Sequence, residues 1–302
     1  MPGTGSHELI DAAGPPPDGN GPDGAVPGYR ARRTLGLRVE ARRQFTRRRT
    51  QIALGFLIVL PFLLIAAFSA GGDDGGGNGA PALVDLATGG AANFTVFTLF
   101  VSSGFLLVVV VALFCGDTVA SEASWSSLRY LLAIPVPRSD LLRRKLIVAL
   151  GYCALALVLL PTVAYLSGGV FFGWAPLRSP LGDTISGAEI FVRLLIIVGY
   201  VGISLLFVAA LAFLIGVWTD APLGAVGGAV LLVIVCNILD AVTALGDWRR
   251  FLPVHYSLAW TDVLGADIVW TQMVAGALWS TGYAVALLAA AWWHFERKDI
   301  TS

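Results

Sequence analysis

An all-α integral membrane protein with six spans is the fold this sequence predicts, and three observations predict it. Of 302 residues, 56% are hydrophobic and 13% charged, with a mean hydropathy of +0.76, far above what a water-soluble domain carries. From Ile52 onward, six apolar segments recur, each long enough to cross about 30 Å of hydrocarbon, which takes about 20 helical residues. Alternating strand patterns are absent, and lipid offers no partners to unpaired backbone groups, so the segments are expected to be helices.

The first element is not a span. Residues 1–28 are rich in Gly, Pro and Asp, as at Pro15, Pro16, Pro17, Asp18 and Gly19, and cannot bury enough apolar surface to offset ordering entropy. They read as a disordered cytoplasmic tail. No cleaved signal peptide is expected, because no apolar run follows the first basic residues closely. Residues 29–51 are arginine-rich, with Arg38, Arg42, Arg43 and Arg47 to Arg49 beside a weak apolar face of Leu35, Val39 and Phe45. This pattern suits an amphipathic elbow on anionic headgroups, with a retained basic tail as the alternative.

The transmembrane domain then occupies residues 52–302, with spans at about Ile52–Ala70, Phe94–Phe114, Leu146–Leu166, Ile190–Trp218, Leu223–Leu245 and Trp270–Trp293. The fourth is longer than a bilayer is thick and must tilt or project. Pro61 and Pro161 are expected to kink spans one and three. Gly224 and Gly228 permit close helix approach in span five. Between spans five and six, Trp248, Phe251, Leu252, Tyr256, Leu258 and Trp260 make residues 246–269 too apolar for a simple loop. That segment is expected to be re-entrant or to lie flat at the interface.

Charge placement sets the orientation. Net charge is zero, which gives no bulk attraction to nucleic acid. Yet sixteen of the twenty basic residues fall on one side, before span one, after span two and after span six. Basic residues are retained in the cytoplasm, so both termini are expected there, in a plasma membrane. Trp174, Trp248, Trp260 and Trp270 would mark the outer interface, and Trp218, Trp292 and Trp293 the inner one.

Enzyme chemistry finds no residues to run it. The only lysines, Lys145 and Lys298, lie outside any Gly-rich phosphate loop, and His7, His255 and His294 are scattered with no HExxH or GxSxG. Cys115, Cys153 and Cys236 lack CxxC or Cys/His spacing, so neither a disulfide framework nor a zinc site is expected. No catalytic, cofactor-binding or metal residue is assigned. Within the membrane, Thr95, Thr98 and Ser102 share one face of span two, where they could line a pathway or a dimer seam, or simply bond their own helix carbonyls. Arg193 and Asp240 fall at comparable depth on antiparallel spans four and five, and an ion pair between them is expected, since an unpaired charge there is costly; the alternatives are that both reach the headgroups or that they form a substrate or proton site.

The most informative stretch is the connection Gly116 to Lys145. Leu128, Leu131 and Leu132 recur at helical spacing, and Pro135 and Pro137 break the chain before Ser139 and Asp140 start the next helix. On pattern alone this is either a docking surface or a solvated basic hairpin. The order Glu122, Ser126, Ser127, Leu128, Leu131, Leu132, Pro135, Val136, Arg138 and Lys145, with six spans, an Arg-rich elbow and the charged tail HFERKD, resembles the ABC-2 family of ABC-transporter permeases. The resemblance runs from Thr34 to Ser302. Ser126-Ser127 stands where the family commonly has Gly-Thr, and Pro137 replaces a small polar residue.

The resemblance implies a half-channel that dimerises with a second copy or a paralogue and is driven by a separate cytoplasmic ABC ATPase, which alone binds ATP. The coupling surface it implies comprises Glu122, Trp125, Leu128, Arg129, Pro135 and Arg138, with Asp220 in the tight turn between spans four and five. Short re-entrant gate helices are implied between spans five and six. Export of a hydrophobic or amphipathic substrate is the expected function. The alternative is a non-transporting membrane scaffold or sensor that recruits a cytoplasmic partner through the same face.

Overall fold

A computed structural model describes residues 36–70, 85–124, 138–179, 184–185, 187–219, 221–265 and 267–297. Helix α1 spans Leu37–Phe45, and α2 follows at Arg48–Ala70. Next come α3 (Ala91–Ser103), α4 (Leu106–Ser124) and α5 (Arg138–Phe172). A two-residue antiparallel ladder pairs β1 (Leu177–Arg178) with β2 (Thr184–Ile185). Helices α6 (Ala188–Ser204), α7 (Leu206–Trp218) and α8 (Pro222–Ala241) lead to 3-10 segments at Thr243–Phe251 and Ala259–Leu264, and α9 (Thr271–Arg297) closes the described chain.

Five candidate spans are long and apolar enough to cross a membrane: α2, α5, α6 with α7, α8 and α9. The bent pair α3 and α4 makes a sixth if taken as one span. Their outward faces are apolar: Ile52, Phe56, Val59 and Leu63 of α2 recur every three to four residues and are all exposed. Water would not tolerate such stripes on helix after helix, and lipid does. The chain is a multi-pass α-helical membrane protein.

Helices α4 and α7 sit at the centre. Helix α4 packs on α5, α7 and α8, and α7 packs on α8 and α9 as well. Their close approach depends on Gly116 facing Gly216: a Cβ on Gly216 would lie 2.5 Å from the Gly116 carbonyl oxygen. The Gly224 and Gly228 pair of α8 meets only ordinary contacts, with nearest atoms at 3.5 and 3.6 Å.

The largest departures from the sequence ranges are in spans two and three. Span two is two helices bent by 58° at Ser103–Leu106, where Ser103 Oγ donates to the Phe100 carbonyl and Gly104 follows. Serine back-bonding weakens the local ladder and glycine lowers its helix propensity, so an apolar run of unbroken hydropathy still breaks there. Span three extends in both directions to Arg138–Phe172, because Arg138 to Lys145 add two helical turns. Span four holds 31 residues, about 46 Å at 1.5 Å per residue, as its sequence length requires. Pro61 and Pro161 lie inside α2 and α5, each of which continues through its proline.

The segment before α9 divides in two. Trp248 and Phe251 are exposed on the first 3-10 stretch, which bends at Gly246 (φ 51°). The second stretch inserts against α6 and α9, burying Trp260, Val263 and Leu264. Trp260 is therefore not an interface marker: it is fully buried, with Phe100 edge-on at 6.4 Å. Trp174, Trp218, Trp248, Trp270 and Trp293 are exposed.

Candidate functional site

Among the described residues, a dense polar cluster lies where α1 meets the ends of α2, α4 and α5. Helix α1 is inside-out by aqueous standards: Glu40 and Gln44 are buried, at 6% and 5% exposure, while Val39 is 71% exposed and Leu37 and Phe45 also face outward. The buried side has partners. Lys145 Nζ, on α5 and 2% exposed, donates to Glu40 Oε1 at 3.1 Å and lies 3.5 Å from the Thr118 carbonyl. Gln44 Nε2 donates to the Phe114 carbonyl at 3.3 Å, and the Tyr152 hydroxyl to the Ala41 carbonyl at 2.7 Å. Beside them Arg47 and Arg49 both hold Asp117, each at 2.9 Å, and Arg47 also reaches Ser121 Oγ at 2.9 Å.

This arrangement fastens the elbow to α4 and α5, the two helices whose ends bound the connection 125–137. A buried ion pair of this kind is poor as a source of stability but costly to break from one side, at about 3–5 kcal/mol. Of the expected coupling residues, Trp125, Leu128, Arg129, Pro135 and Asp220 lie outside the described residues. Glu122 and Arg138 are placed by backbone only, in the last turn of α4 and at the first residue of α5. Next to Asp220, Thr219 Oγ1 donates to the Ile215 carbonyl at 2.8 Å, and Pro222 starts α8. Glu40, Gln44, Asp117 and Tyr152 carry no sequence signal, because each pairs with a residue about 70 to 110 positions away.

The span-two hydroxyls turn inward. Thr95 and Thr98 donate to the Ala91 and Phe94 carbonyls of their own helix, each at 2.8 Å. Both are buried within this chain, as is Ser102, whose hydroxyl has no partner among the described residues. In this chain the face is covered by its own helices, and the two threonine hydroxyls bond their own helix carbonyls.

Arg193 and Asp240 are not paired. Asp240 Oδ1 bonds His255 Nδ1 at 2.6 Å, and Arg249 Nη1 donates to the Asp240 carbonyl at 3.2 Å. Arg193 instead donates to Glu189, one turn back, at 2.7 and 3.0 Å, and to the Val263 and Gly265 carbonyls. The reason is the inserted 3-10 segment, whose carbonyl end takes the guanidinium, while the Gly246 bend brings His255 back onto α8. At the same end, a cavity of about 260 Å³ lies between Phe97, Phe100, Leu177, Trp260, Leu264 and Asn93. Asn93 exchanges two hydrogen bonds with the Arg178 backbone at 2.8 and 2.9 Å, fixing the wall, and the buried Trp260 Nε1 has no partner among the described residues. No three His, Cys, Asp or Glu side chains converge as a metal site among the described residues.

The profile of a family described as a protein of unknown function, DUF2705, matches residues 85–301. The chain belongs to the DUF2705 family. The DUF2705 match takes in α3 to α9 and the connection 125–137, and starts after the elbow and α2, so Lys145, Asp117 and Asp240 lie inside it and Glu40 and Arg47 outside. No curated protein matches the sequence.

Proposed function

We propose that this DUF2705 protein is the membrane-spanning permease subunit of an ATP-driven transporter of ABC-2 type, with six spans and both termini cytoplasmic in a plasma membrane. It works with a second copy or a paralogue, and a separate ABC ATPase supplies the hydrolysis. One observation carries this reading: the elbow is locked by Glu40–Lys145 and by Arg47 and Arg49 on Asp117 to the two helices that bound residues 125–137. A push on that connection reaches α4 and α5 and the elbow together, which is what transmission from a cytoplasmic motor requires. Helix α4 also packs on α7 and α8, so movement at one end bears on the whole bundle.

The apolar cavity between Phe97, Phe100 and Trp260 suits a hydrophobic or amphipathic cargo, and export is the direction we propose. The test is the pair Glu122→Ala with Arg138→Ala. Charge-assisted contacts at a docking surface are worth about 1.5–3 kcal/mol each, so the double variant should remain in the membrane and lose its ATPase. Retained ATPase binding and transport would overturn the reading.

A further inference from the structure

We infer that the arginine cavity beside the elbow is a binding site for the phosphate of an anionic phospholipid headgroup. The cavity is about 500 Å³, and Arg43, Arg47, Arg48, Arg49, Asp117 and Ser121 line it, with Pro222 at the start of α8. Arg47, Arg48 and Arg49 meet one lining carboxylate, Asp117. Asp117 already occupies Arg47 and Arg49, and Arg43 lies 3.9 Å from Glu40. Arg48 is exposed and joins none of the ion pairs among the described residues. The surplus is positive, and guanidinium forks suit the paired oxygens of a phosphodiester.

Two features make the phosphate a lipid's. The elbow exposes Leu37, Val39 and Phe45 while burying Glu40 and Gln44, an arrangement that water penalises and the acyl boundary of a bilayer rewards. On α2, the exposed stripe begins at Ile52, about one turn beyond Arg48. The cavity therefore opens at headgroup depth, with apolar side chains on both flanks to take the acyl chains. Because one headgroup there touches the elbow, α2, α4 and the start of α8, its binding sets how firmly the elbow is held. The inference rests on the membrane fold and the cavity, and stands whether or not an ABC ATPase is the partner.

The test uses the purified full-length chain in detergent, titrated with phosphatidylglycerol or phosphatidylcholine and read by native mass spectrometry. Wild type should bind phosphatidylglycerol more tightly. Arg43→Gln with Arg48→Gln should weaken that binding about 30-fold, at about 1 kcal/mol per basic residue, without changing phosphatidylcholine binding. Arg48→Gln alone, which breaks no described ion pair, should weaken it about fivefold and guards against misfolding of the double variant. Arg250→Gln, at the opposite end of the molecule, should have no effect. Equal affinity for the two lipids, or unchanged affinity in both variants, would overturn the site. Displacement by millimolar inorganic phosphate would overturn the lipid as its source, and loss of a protein partner with lipid affinity unchanged would assign the surface to that partner instead.

Discussion

Glu40 on the elbow and Lys145 on α5 form a buried ion pair between residues 105 positions apart. Their charges are almost fully removed from solvent and 3.1 Å apart, so removing either leaves the other buried with less compensation. Glu40→Ala or Lys145→Ala is expected to lower stability by about 3–5 kcal/mol, whereas Glu40→Leu with Lys145→Met should recover most of it. Denaturant unfolding in detergent micelles reads both; a loss below about 1 kcal/mol in each single variant would show that the pair is not isolated from water. At the opposite end, Asp240→Asn and His255→Gln should show a coupling of about 0.5–3 kcal/mol in a double-mutant cycle, while Asp240→Asn and Arg193→Gln should add independently. Coupling between Asp240 and Arg193 would contradict the arrangement described. Sequence spacing brought Arg193 and Asp240 to the same depth but could not reveal that a 3-10 segment inserts beside one and folds a histidine onto the other. Depth follows from hydropathy; lateral neighbours follow from packing.

Among the elements, α4 and α7 depend most on small residues. Gly216→Ala places a methyl group 2.5 Å from the backbone of Gly116, which no side-chain rotation relieves, so the helices must part. Overpacking of this kind costs about 1–3 kcal/mol, and a lowered melting temperature in detergent should follow; Gly228→Ala, with its nearest neighbour at 3.6 Å, should be nearly neutral. The apolar runs of the sequence made most of the spans legible, since about 20 consecutive apolar residues have few other uses. The break at Ser103–Leu106 was not legible, because serine and glycine barely disturb hydropathy there while their hydroxyl and conformational freedom disturb the hydrogen-bond ladder. The elbow was legible in its arginines and in the weak apolar face of Val39 and Phe45, which lies outward, whereas the burial of Glu40 and Gln44 was not, because their partners lie on distant helices.

At the scale of the whole molecule, the proposed orientation places the elbow and the connection 125–137 in the cytoplasm, on the strength of sixteen of twenty basic residues. In a background with Cys115, Cys153 and Cys236 replaced by alanine, a cysteine at Gly76 should react with a membrane-impermeant maleimide from outside, and one at Ser124 only after permeabilisation. Reversed labelling would invert the chain. The claim that a separate ATPase drives this bundle is tested most directly by purifying the tagged full-length protein from its native membrane and identifying what stays bound in mild detergent. The account predicts a soluble chain with a GxxxxGK[ST] loop, in stoichiometric amount and hydrolysing ATP, that is lost from Glu122→Ala with Arg138→Ala while that variant remains folded in the membrane. A stoichiometric partner without such a loop, or an ATPase that binds the double variant as tightly as the wild type, would contradict it.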